Sequence, residues 1–161
     1  MPPSPRDSIL KFDEKFGRLH RSSVSIIAST DDRALYAEPS IQDNSMMTFS
    51  VGTSVIRSAG IVEQMIGGIT TRLWDDPFEW TLPERLPGKS NVIVYLKEVE
   101  ERRAHGFDYF RIDSDLDKMI PSPIEMRSLF DILLETLITA ERFYGNAEAL
   151  FKIIGSAEKR R

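Results

Sequence analysis

Apolar residues recur at three- and four-residue steps along four long stretches of this 161-residue chain, the period of helices that each bury one face. The first stretch, from about Ser8 to Ser29, carries Ile9, Phe12, Phe16, Leu19, Ile26 and Ile27 on one stripe, with Asp7 or Ser8 placed to cap it. The second begins near Ser50 and runs through Val51, Val55, Ala59, Val62, Ile66 and Ile69, with Gly67-Gly68 predicted to break or fray its last turns. The third opens after Pro87-Gly88 with Ser90 as its cap and passes through Val92, Leu96, Val99 and Arg103 toward Phe107 and Phe110. Its weak point is Gly106, and its charged run Lys97 to Arg103 reads as a solvated face. The fourth starts on Ser122-Pro123-Ile124-Glu125, which has the form of a capping box with proline at the first helical position. Met126, Phe130, Leu133, Leu137, Ala140, Tyr144 and Ala147 then hold helical spacing to about Ile154, where Gly155 supplies a stop.

No stretch shows the strict alternation of a half-buried strand, so the pattern predicts an all-α, four-helix bundle. One domain spanning residues 1–161 suffices at this length, with disordered ends at 1–6 and 157–161. The connections 30–49 and 70–89 are long and the link 112–121 is short, which predicts that the third and fourth helices pack as antiparallel neighbours.

Charge and composition narrow the function. With 21 basic against 25 acidic residues, the net charge of −4 provides no sequence-wide positive field for nucleic acid. The absence of cysteine removes disulfides, thiolate nucleophiles and thiolate metal sites. No segment is apolar for the ~18 residues of a spanning helix, and the start Met1-Pro-Pro-Ser-Pro-Arg-Asp7 lacks the form of a signal peptide. A cytoplasmic protein that engages neither membrane nor nucleic acid is expected.

Four segments, in this order and spacing, resemble the DinB/YfiT-like helical bundles. They are Asp31-Asp32-Arg33-Ala34-Leu35-Tyr36-Ala37-Glu38-Pro39, Ala59-Gly60-Ile61-Val62-Glu63, Asp76-Pro77-Phe78-Glu79-Trp80 and Glu141-Arg142-Phe143-Tyr144-Gly145-Asn146. The resemblance covers nearly the whole chain. It implies a divalent metal held by three inward histidines, one from the second helix and two a turn apart on the fourth, serving metal-dependent thiol transfer and related chemistry. Carried over residue by residue, those positions fall on Ser58, Thr139 and Phe143.

Two hydroxyls and a phenyl ring cannot replace three imidazoles around a first-row metal. Only His20 and His105 occur in the chain, and both read as surface or boundary residues. A carboxylate site joining Glu63 to Glu135 or Glu141 is the sharper alternative, since bundle metal sites do use glutamates. Asp113, Asp115 and Asp117 alternate like a cation loop but lack its glycine and glutamate, and read as capping aspartates in a turn. Trp74, Phe78 and Trp80 read as aromatics that pin the second long connection over the bundle. The expectation is a bundle with no catalytic metal and no cofactor, leaning away from an enzyme. It keeps a small-molecule pocket bounded by Ser58, Thr139 and Phe143, with Arg57, Glu63 and Asn146 nearby. The alternatives are a transferase or hydrolase with non-histidine metal ligands, and a structural homodimer pairing through Leu129, Ile132 and Leu134 of the fourth helix.

Overall fold

The computed structural model describes residues 4–39 and 49–160 of the chain. Among these residues four α-helices form, α1 (Asp7–Ala28), α2 (Val51–Thr71), α3 (Lys89–Gly106) and α4 (Leu129–Glu158), and one two-stranded antiparallel hairpin, β1 (Met119–Pro121) and β2 (Met126–Ser128). The expected bundle is there, with a small sheet that the period did not predict. Among the described residues, no helix is long and apolar enough to cross a membrane. The expected disorder at 1–3 and 161 lies outside the described residues, as does much of the 30–49 connection. Residues 4–6 lead directly into α1, the Pro5 carbonyl accepting from the Asp113 amide at 2.7 Å, and α4 runs through Glu158.

Each helix start has an identifiable partner for its free amides. At α2, which begins near Ser50 as expected, the cap is the Ser50 hydroxyl, accepting from the Thr53 amide at 3.0 Å. For α1 neither Asp7 nor Ser8 is the cap; the Asp113 carboxylate reaches across the fold and accepts from the Ser8 and Ile9 amides at 2.9 and 3.1 Å. At α3 the cap is not Ser90. Asn91 reaches back to the Gly88 amide, and Asp32 accepts from the Lys89 amide at 2.7 Å.

The fourth helix starts six residues later than its apparent capping box places it, at Leu129 rather than Pro123. Ser122 and Glu125 close the hairpin turn instead, the Ser122 amide and hydroxyl both donating to the Glu125 carbonyl. The register Met119–Ser128, Ile120–Arg127 and Pro121–Met126 ties β1 to β2, and Ser128 then caps α4 by accepting from the Asp131 amide at 3.1 Å. Three-residue strands are too short to show alternation, and Ser-Pro-Ile-Glu satisfies a turn as well as a cap.

Gly67-Gly68 does not break α2, which continues to Thr71 and ends on Arg72 in the left-handed region (φ 61°). Gly68 is needed for packing: a Cβ there would lie 2.3 Å from the Trp74 ring, which folds back onto the helix.

Facing residues fix the arrangement. Lys89 at the start of α3 meets Asp32 just past α1, and Asp113 beyond α3 meets the start of α1, so α1 and α3 are antiparallel. Glu63 pairs with Arg102, and a Cβ on Gly106 would meet Ile66, so α2 and α3 run the same way. Ser58 bonds Ala140 while Phe49 packs on Phe143, which makes α4 antiparallel to α2. Both α3 and α4 pack on α2 and on α1, and they share no substantial contact with each other. The expectation that they are neighbours is therefore corrected. Their link is occupied by two 3₁₀ turns, Phe107–Tyr109 and Asp113–Asp117, and by the hairpin, and it crosses the end of the bundle rather than turning tightly.

One cluster fills the interior, including Phe16, Ile27, Val55, Met65, Ile69, Leu96, Phe110 and Leu133. Arg103 lies inside it, 2% exposed, and is not part of a solvated face. Its guanidinium pairs with Glu100 and Asp13 and stacks over Phe107 at 4.8 Å. Burial opposes the charge on Arg103, but the hydrogen bonds to Glu100 and Asp13 outweigh it and raise the pKa above its ordinary value.

Candidate functional site

At Ser58, the position to which the resemblance would assign the second helix's metal ligand, the seam between α2 and α4 is closed. Ser58, 1% exposed, donates its hydroxyl to the Ala140 carbonyl at 2.8 Å and so ties the two helices directly. A hydroxyl engaged in this way is a poor first-row metal donor, and Thr139 and Phe143 add no imidazole or carboxylate. Among the described residues no three His, Asp or Glu side chains come together to hold an ion. The residues present do not fit the metal.

The six residues expected to bound one pocket face several spaces. Ser58 borders a small cavity of about 30 Å³ shared with His20, Ser23 and Glu100, between α1, α2 and α3. Thr139 lines a groove under the hairpin turn with Gln64, Trp74 and Ile124. Phe143 and Arg57 line a third space with Pro77 and Phe78, where the Arg57 guanidinium stacks on the Phe78 ring at 4.4 Å. Asn146 is exposed on α4. Glu63 faces α3, while Glu135 pairs with Arg127 on the hairpin, so these two of the three carboxylates named for the alternative metal site point to different places.

Glu63 belongs to the largest of these spaces, a groove of about 610 Å³ between the C-terminal halves of α2 and α3. Its floor is Ile66, Gly67 and Gly106, and its walls carry Leu73, Trp80 and Tyr109, all at least 48% exposed. The polar end is built. Glu63 accepts from the Tyr95 hydroxyl and from Arg102, each at 2.7 Å, with its side chain 13% exposed. Burial, reinforced by the Glu63 charge, pushes the Tyr95 pKa far up, so the phenol stays a neutral donor holding the carboxylate in place. Trp74 is the aromatic that pins the connection, its indole N–H donating to the Pro121 carbonyl at 3.2 Å, whereas Phe78 and Trp80 stand out from the surface.

This volume lies within the 300–1,000 Å³ typical of small-molecule sites, and an apolar trough with one fixed polar end is the usual composition of such sites. Sequence inspection finds Glu63 and Trp80 separately but not their meeting. The groove draws on α2, the connection after it, α3 and the turn at 107–109, and no local pattern joins those four segments. His105 borders the groove with its side chain 90% exposed, and the His20 pKa is lowered mainly by burial. No family model matches the chain, and no curated protein and no solved structure does so either.

Proposed function

We propose that this chain is a metal-free binding module, a divergent bundle of DinB/YfiT type that takes up a small amphiphilic molecule in the groove between α2 and α3. The observation that carries the proposal is the pairing of an α2–α4 contact fastened at Ser58 and Ala140, where a metal ligand would otherwise stand, with an open groove walled by exposed Trp80, Tyr109 and Leu73. The affiliation rests on the four quoted segments and on the packing of α2 against α4, the two helices to which the resemblance assigns the metal ligands. The ligand class follows from the lining: a planar apolar body for the aromatic walls, and a polar group for the end where Glu63 and Arg102 sit.

Two measurements test this. Elemental analysis of protein purified without chelator is expected to find no stoichiometric divalent metal, and one tightly held ion per chain would count against the proposal. The fluorescent amphiphile 8-anilinonaphthalene-1-sulfonate is expected to bind the folded protein at one saturable site. Trp80→Ala should weaken that binding roughly tenfold, about 1.4 kcal/mol, at unchanged helicity. Binding that ignores Trp80→Ala would place the ligand elsewhere.

A further inference from the structure

The outward face of α4 carries bulky apolar side chains along its first half and, along its second, two small residues followed by Ile153. Phe130, Leu134 and Ile138 stand at four-residue steps and are 41%, 38% and 50% exposed. Of the three residues expected to form an interface, Leu129 and Ile132 are buried in the core, and Leu134 alone is on the surface. Further along, Gly145, Ala149 and Ile153 form a second exposed row at the same step, and a Cβ on Gly145 would meet nothing within 4 Å.

We infer that this face is the interface between two copies of the chain, packed antiparallel about a two-fold axis passing between Glu141 and Arg142. The case rests on self-complementarity, which a two-fold contact demands of a single surface. Turning α4 about that point sets Phe130 opposite Ile153 of the second copy, Leu134 opposite its Ala149 and Ile138 opposite its Gly145. Each bulky side chain of the first row thus meets the second row at one and the same register. Charge agrees: Asp131 comes opposite Lys152, and Glu141 and Arg142 cross near the axis. Glu135 comes opposite Glu148, but Glu135 already pairs with Arg127 in its own chain. Both rows follow four-residue steps and so run obliquely across the helix, and one settles into the groove beside the other when the helices cross at an angle. The seam from Phe130 to Ile153 extends about 35 Å. This interface lies apart from the α2–α3 groove and does not depend on it.

Light scattering after size exclusion is expected to give a particle of twice the 18.4 kDa chain mass. Leu134→Glu should halve that mass without loss of helicity, because the side chain lies at the surface of the single chain, where a carboxylate can reach water. The chain contains no cysteine, which allows the register to be read directly. An oxidised mixture of Ile138→Cys and Gly145→Cys chains should give a disulfide-linked dimer, and Ile138→Cys alone should not. A monomeric wild type, a Leu134→Glu variant that stays dimeric, or failure of the mixed pair to cross-link would each overturn the proposal.

Discussion

Arg103 shows how far a single side chain can depart from its sequence neighbourhood. It stands in a run of charged residues, yet among the described residues it is the largest fully buried side chain, held by two carboxylates and two aromatic rings. Arg103→Ala is expected to destabilise the fold by about 3 kcal/mol, the low end for breaking a buried pair, because Asp13 and Glu100 retain access to water. Arg103→Lys should recover only a minor part, since an ammonium cannot span both carboxylates and stack on Phe107. Urea denaturation of the two variants checks this. His20 makes a second prediction. Burial lowers its pKa below the ordinary 6.5, and repulsion from Arg103, Arg21 and Lys97 adds to this, while Glu100 opposes it. The unfolded chain therefore binds the proton more readily, so the stability His20 contributes is complete above pH 6.5 and is lost as pH falls toward the folded value. His20→Gln should flatten the urea midpoint between pH 7 and about pH 5, and an unchanged slope would remove His20 as its source.

At the level of elements, the sequence spoke clearly where a helix is long and amphipathic and poorly where the deciding contact is remote. The start of α2 was legible near Ser50, whose capping partner Thr53 is local, whereas the cap of α1 is Asp113, brought in by the fold. The same reason explains the displaced start of α4. The Ser122-Pro123-Ile124-Glu125 pattern is local, but pairing of Ile120 with Arg127 claims it for a hairpin. Ser128→Ala should consequently cost about 1 kcal/mol as loss of an N-cap, and Ser122→Ala, on an exposed turn, less than half of that. The reverse order in thermal melts would restore the earlier helix start. Gly68→Ala tests the other misread element. Relief of the glycine penalty would favour the helix by up to about 1 kcal/mol, but the new methyl cannot share space with the Trp74 ring. Net destabilisation with a red-shifted Trp74 emission is expected, measured in a Trp80→Phe background.

Across the whole molecule, α1 and α2 each pack on both α3 and α4, so every helix is held by at least two others around one core. Periodicity supplied the number of helices and most of their buried faces. It could not supply which helices touch, because the link from α3 to α4 spends its residues on turns and a hairpin. For the same reason the groove was invisible: Glu63 and Tyr109 are brought together only once α2 and α3 lie side by side in the same direction. This interlocking predicts a single cooperative unfolding transition. In a Trp80→Phe chain, Trp74 reports on the end where α2 meets the hairpin, through its packing on Gly68 and its hydrogen bond to Pro121, while ellipticity at 222 nm reports on all four helices. The two urea curves should coincide in midpoint and in slope, the requirement for two-state behaviour. An earlier fluorescence transition would mean that the hairpin end opens on its own, and the groove would then be walled on one side by a segment less stable than the bundle that carries it.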